Sequence, residues 1–229
     1  SISNMLGGNV PGIIAVTRSG EPGDDFSEFW IRGISTFGAN ASALVLVDGV
    51  EGNINDLDPS DIESFSVLKD ASATAVYGVR GANGVVVITT KSGKAGKLRI
   101  NFKTNLIMSE SARMPEYADA YSYAQLANEA RLSRGKDPIY SDVAMELIRT
   151  GMDQDLYPNV NWRDVILKDH VWQNQHFLSV AGGGTAARYY MSLSIQNKDA
   201  VFKQDKSANK YDTNVSYHKY SFLANMDVN

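Results

Sequence analysis

The chain has no cysteine and only three histidines, His170, His176 and His218, among its 229 residues. The first absence excludes a disulfide framework, thiolate metal sites and thiol nucleophiles. The histidines lack the close spacing that a zinc site draws on. No run approaches the roughly 18 consecutive apolar residues of a membrane helix. The longest apolar strings lie at Ile13–Val16, Ala43–Val47 and Val85–Ile88. A helical membrane protein is therefore excluded, but not one that crosses with strands, which need only about 9–11 residues of alternating polarity. Positive charge is also not in excess. The formal net charge is −4, so no basic field offers itself to nucleic acid and no nucleic-acid partner is expected. No charged-then-apolar leader follows Ser1, which leads us to expect a processed or truncated form. What is present is a hydrophobic fraction of 43%, enough for a packed core, and 11 tyrosines, which favour β structure.

The front of the chain, residues 1–97, is rich in glycine and short strands. Pro11-Gly12, Glu21-Pro22-Gly23, Asp48-Gly49 and Ala82-Asn83-Gly84 are turn signals, and strands are expected between them at Ile13–Val16, Phe29–Ile31, Leu44–Val47, Phe65–Leu68 and Val85–Thr89. Asp58-Pro59 reads as a helix start, with aspartate as cap and proline at the first position. A short Ala/Ser-rich helix is expected after Leu68. These elements make an α+β unit of mixed topology, which ends at a basic connector, Gly93 to Lys97.

The pattern then changes. Leu98, Ile100, Phe102, Thr104, Leu106 and Met108 fall on one face of an extended segment, with Arg99, Asn101, Lys103 and Asn105 on the other; only Ile107 breaks the alternation. The period recurs at 172–181, 187–197 and 218–229. It is least regular in the first of these, where His176 interrupts the apolar face of Trp172, Leu178 and Val180, and Phe177 interrupts the polar one. Arg99, Lys103 and Arg188 are expected to face a hydrated interior, and Trp172, Tyr189, Tyr190 and Tyr220 to form an interfacial aromatic girdle. Long loops are expected at 111–170 and 198–217, against a tight turn at Gly182-Gly183-Gly184-Thr185. Within the first loop a helix is expected from its cap Asp119 to about Arg134, packed through Ala120, Tyr123, Ala124, Ala127 and Ala130, and a second from Ser141 to Thr150.

Several motifs suggest chemistry that the spacing does not support. Gly78-Val-Arg-Gly81-Ala-Asn-Gly84 has the wrong spacing for a phosphate loop and precedes a strand rather than a helix. Gly93 to Lys97 lacks the Walker pattern. Asp56, Asp58, Asp61 and Glu63 could attract calcium, but they lack the EF-hand order, and helix capping accounts for Asp58 and Asp61. Asp164 and His170 form no catalytic set. No catalytic residue, metal site or cofactor is expected. Tyr117, Tyr121, Tyr157 and Trp162 in the first loop are candidate contacts for a partner or a substrate: they pack the loop or meet a partner protein, with stacking on sugar rings as the alternative.

The ordered pieces LGGNVPGIIAVTRSGEPG, WIRG, LVDGV, DIESFSVLKDASATAVYGVRGANGVVVITTK, PEYADAYSYAQLANEA and DLYPNVNWRD together resemble the SusC/RagA branch of TonB-dependent outer-membrane transporters, the glycan and peptide importers of Bacteroidetes. The resemblance implies an α+β plug domain at 1–97, followed at 98–229 by the first antiparallel strands of a transmembrane β-barrel. Such a chain would be a fragment of a roughly 22-stranded barrel. It also implies location in the cell outer membrane, contact with outer-membrane lipid, and uptake of glycan or oligosaccharide, with oligopeptide as the alternative. The implied partners are a SusD-like surface lipoprotein and TonB, whose contact box is not among these residues. In this family plug cations pair with barrel glutamates. Arg32, Lys69 and Arg80 are the matching plug-lock candidates, Lys69 standing where many relatives have arginine, which can make bidentate contacts that lysine cannot. A soluble β-rich interaction or adhesin module is the reading from a different class, and an enzyme a third; neither supplies partners for the apolar strand faces.

Overall fold

A computed structural model of the protein describes residues 2–31, 42–69, 75–111, 113–204, 211 and 214–228. The fold divides into two compact units. The first comprises 1–108, 172–200 and 215–229, and the second 109–171 and 201–214.

The first unit begins with a short helix, α1 (Ile2–Leu6), and a hairpin of β1 (Ile13–Thr17) and β2 (Ser27–Ile31). A mixed four-stranded sheet follows, ordered β4-β3-β6-β5, with β3 at Leu44–Val47, β4 at Val50–Glu51, β5 at Ile62–Leu68 and β6 at Val85–Thr90. β3 and β6 run parallel and the other pairs antiparallel. Asp48 and Gly49, which join β3 to β4, both have positive φ, 50° and 85°. That is the geometry a two-residue hairpin turn needs, and aspartate and glycine tolerate it best. Asp48 is also tied to the far end of β6: its carboxylate accepts from the Thr90 amide at 2.8 Å and the Thr90 hydroxyl at 2.6 Å.

β6 is apolar on both faces because it lies inside the sheet, and Val85, Val86 and Ile88 are wholly buried. Around Val86 and Ile88 pack Ile2, Leu6, Ile13, Ile31, Ala43 and Ile54. Among the described residues, the members of this core all lie between Ile2 and Ile88, outside the long strands.

The long strands form a second sheet, ordered β10-β9-β8-β7: β7 is Gly96–Glu110, β8 His170–Gly183, β9 Ala187–Asp199 and β10 Ser216–Val228. At 13 to 15 residues each exceeds the length a tilted membrane strand needs. The alternation of Leu98 to Met108 lies within β7, whose apolar side chains are exposed, Phe102 at 67%. Phe222 and Met226 are equally uncovered on β10. The opposite face is the covered one: Phe177 and Ser179 on β8, and Tyr190, Ser192 and Ser194 on β9, are buried. Phe177 therefore belongs on the inward side, and its place among polar neighbours is no irregularity. Tyr190 corrects the expected girdle. It points inward and is buried, whereas Trp172 and Tyr220 are exposed.

The second unit is built on α2 (Ala120–Leu132) and α3 (Asp142–Thr150), capped by the side chains of Asp119 and Ser141, with a short α4 at Trp162–Ile166. α3 closes on Gly151 in the left-handed conformation. Asn128 organises the α2–α3 connection by accepting from the amides of Ile139 and Tyr140 and donating to the Tyr140 carbonyl. The expected packing face of α2 is corrected: Ala124 is its buried residue, while Tyr123 is exposed. The Ala/Ser-rich helix expected after Leu68 falls largely outside the described residues; 75–81 form 3-10 turns.

Ile88→Ala should remove about 2–5 kcal/mol from the mixed-sheet body. Amide exchange of β3, β5 and β6 in the full-length protein should accelerate by at least about thirtyfold. Val76→Ala, at an exposed site, should change it little.

Candidate functional site

The polar face of the long sheet meets the mixed-sheet body along a seam of hydrogen bonds. Much of it falls on one short stretch, Asn55 to Asp61, which holds the 3-10 turn Pro59–Asp61 and its cap Asp58. Asp58 does two things at once. One carboxylate oxygen accepts from the Ser60 amide at 2.8 Å, and the other accepts from Gln175 of β8 at 2.8 Å and from the Ser194 hydroxyl of β9. Asp61 accepts from the Tyr190 hydroxyl of β9 at 2.8 Å. On β10, Lys219 donates to the carbonyls of Asn55 and Leu57, and Ser221 to that of Asp56. Farther along β10, Asn225 donates to the Thr90 hydroxyl at 2.7 Å and to the Lys91 carbonyl at 2.9 Å. Lys198 of β9 pairs with Asp25 at 2.6 Å with both side chains largely buried. Nearby, Phe26 meets Tyr217 edge-on. Gly23 (φ 92°) lets the backbone approach that ring, since a Cβ there would lie 2.8 Å from it. In each of these hydrogen bonds between the two, the long sheet donates and the body accepts.

The two aspartates are alike in burial and opposite in proton affinity. Burial pushes Asp58 up, but the bonds from Ser194, the Ser60 amide and Gln175 outweigh it and hold the carboxyl below its ordinary value. Burial also pushes Asp61 up, and there the negative charge of Asp58 adds to it. The hydroxyls of Ser192 and Tyr190 and the charge of Lys91 do not compensate, so Asp61 lies above its ordinary value.

The second unit carries a groove of about 750 Å³ lined by residues 115–119 and 159–163. Its aromatic surfaces are Tyr117 and Trp162, both well exposed, with Asp119, Asn159, Asn161 and Arg163 as polar neighbours. The two sides are joined where Asn159 accepts from the Ala120 amide at 3.1 Å.

Comparison with known proteins places these features. Residues 1–85 match the family model described as TonB-dependent Receptor Plug Domain. The TonB-dependent receptor SusC of Bacteroides thetaiotaomicron is 30% identical over 87% of this chain, and another TonB-dependent receptor, from Formosa agariphila, is 36% identical over 86%. The RagAB peptide transporter structure superposes over 99% of the chain with a TM-score of 0.79 and 25% identity. This is part of a SusC/RagA-like TonB-dependent transporter. The mixed-sheet body is its plug, and the long strands are the first of its outer-membrane barrel wall. The chain covers about a fifth of the length of these two relatives, 19% and 18%, and 27% of the RagAB chain. These matches are transporters and receptors rather than enzymes.

Of the residues singled out as plug-lock candidates, Arg32 lies outside the described residues. Arg80 forms an exposed ion pair with Glu51 at 2.8 Å, and Lys69 donates to the Pro11 carbonyl; both contacts stay within the plug. Tyr117 and Trp162 share the groove, whereas Tyr121 and Tyr157 do not line it. Arg99 borders a small cavity beside Lys91 and Tyr190, whereas Lys198, Lys219 and Asn225 hydrogen-bond the plug from β9 and β10. Asp58 is the cap the sequence suggests, but the capping role expected of Asp61 is corrected: it ends the 3-10 turn and its carboxylate takes the Tyr190 hydroxyl. The bonds of both to the long sheet are hidden from the sequence because the donors stand more than a hundred residues away.

The signs of the two shifts fix a pH dependence, with Tyr190, Lys91, Lys219 and Asp56 as the other titratable groups around the pair. Asp58 stabilises docking above its ordinary pKa, and this is lost as pH falls through its lowered one. Asp61 favours docking when protonated, a contribution lost as pH rises through its raised value. Plug protection in the full-length transporter, followed by amide exchange corrected for intrinsic rate, should therefore hold or firm on mild acidification and fall only when Asp58 protonates.

Proposed function

We propose that this chain is the gate end of an importer that takes up oligosaccharides across the outer membrane. The observation that carries the reading is a self-contained plug held to membrane-facing strands by polar contacts. Because the core of residues 2–88 borrows little from the wall, the plug can shift without tearing a shared apolar interior, and the seam it leaves is one that water can solvate. Residues outside the core need only exchange protein hydrogen bonds for hydrated ones, so opening is a local event of modest cost compared with unfolding the barrel. In this reading TonB supplies the work, and a SusD-like surface lipoprotein covers the captured substrate.

The groove of the second unit supports the sugar assignment. Tyr117 and Trp162 offer flat apolar faces, and Asp119, Asn159 and Asn161 offer acceptors and donors at their margin, the combination that suits a ring with one apolar face and a hydroxylated edge. Oligopeptide is the second reading, favoured by the similarity to the RagAB peptide transporter. The plug-lock roles of Arg32, Lys69 and Arg80 belong to this proposal as well.

Titrating the full-length transporter with labelled oligosaccharide and oligopeptide pools decides between the two. We expect saturable oligosaccharide binding, weakened about tenfold, or ~1.4 kcal/mol, by Trp162→Ala or Tyr117→Ala. Retention of peptide alone would replace the first reading with the second. Binding of neither, together with recovery in the soluble fraction, would end both.

A further inference from the structure

We propose that the stretch Asn55–Asp61, centred on Asp58, is the latch that holds the plug shut. The inference rests on the gating reading above but does not depend on what is carried.

The geometry sets this stretch apart. Within seven residues it engages three neighbouring wall strands: β8 through Gln175, β9 through Ser194 and Tyr190, and β10 through Lys219 and Ser221. The other attachments are narrower. The Gly23–Phe26 stretch meets two strands, β9 through the Lys198–Asp25 pair and β10 through Tyr217, and Thr90 and Lys91 reach β10 through Asn225. The basic candidates Lys69 and Arg80 bond within the plug. A contact spanning three strands resists sliding along any one of them, because displacement breaks bonds to all three together.

The carboxylate of Asp58 suits its partners better than an amide would. One oxygen caps the Ser60 amide while the other takes two wall donors, so every partner is a donor. An asparagine that keeps its oxygen on the Ser60 amide turns its NH₂ toward Ser194 and Gln175: the Ser194 hydroxyl can rotate to accept, but Gln175 meets it donor to donor unless its amide flips and gives up the bond its oxygen takes from Asn105, and the charge that strengthens all three bonds is lost. The carboxylate is almost fully buried, so water cannot easily mend the loss.

The test is made in the full-length transporter, in proteoliposomes for passive conductance and in detergent for amide exchange across the plug. Asp58→Asn should raise both conductance and plug exchange about tenfold or more, as expected for losing hydrogen bonds to a charged group. The wall-side pair Gln175→Leu with Ser194→Ala should do the same with the plug sequence intact, which guards against a plug that fails to fold. Combining the plug and wall changes should add little further. The proposal is overturned if both sets leave conductance and exchange at wild-type levels, or if Arg80→Gln opens the plug while they do not. Failure of oligosaccharide uptake with a normal rise in conductance would count against the substrate reading and leave the latch in place.

Discussion

Hydrogen bonding between the buried carboxylates of the plug and the hydroxyl and amide row of the wall is the constraint around which the first unit is arranged. A membrane strand must show lipid an apolar face, and its period of two then commits every other residue to the interior. On β9 that alternate set is Tyr190, Ser192, Ser194, Gln196 and Lys198, paired in register with Ala181, Ser179, Phe177, Gln175 and Gln173 of β8. Such a surface is too polar to be covered by an apolar body at no cost, and the plug meets it with carboxylates and turn carbonyls instead. The 3-10 turn after Asp58 brings those acceptors to the surface in a compact cluster, which a continuous strand would have consumed in its own ladder.

Two kinds of cohesion are thus kept apart. Val85, Val86 and Ile88 are sealed within the plug, where loss of a few methyl groups is felt as lost packing. The seam outside them depends on direction and pairing, and the Lys198–Asp25 pair shows the risk: with both charges largely out of water, removing either strands the other. The second unit follows a third pattern. Its helices are held by caps at Asp119 and Ser141 and by the three hydrogen bonds of Asn128 rather than by a large apolar interior.

What the sequence disclosed and withheld follows from range. Local periodicity exposed the outward row of β7, and turn chemistry exposed the Asp48-Gly49 hairpin, because each depends on neighbours a few residues away. Asp119 and Ser141 were readable as caps for the same reason. Tyr190 is expected in the outer girdle, and Phe177 looks like an interruption of the polar face it does share, because alternation records polarity, not which side holds the partner. A buried aromatic on the inward face looks like a fault in the pattern until the plug is set against it. Asp58 was half legible, its bond to Ser60 being local and its bonds to Gln175 and Ser194 remote. The lock role of Arg80 comes from family likeness; the contact its side chain makes within the plug is the exposed pair with Glu51.

The one-way character of the seam has a chemical consequence. Since the wall supplies the donors and the plug the acceptors in the bonds described, withdrawal of the plug leaves a corridor of unanswered O–H and N–H groups on β8, β9 and β10, two of them ammonium groups. Such a corridor cannot remain dry. It solicits oxygen, whether from water or from the carbonyls and hydroxyls of a passing solute, so the same side chains that grip the stopper would wet and guide whatever follows it.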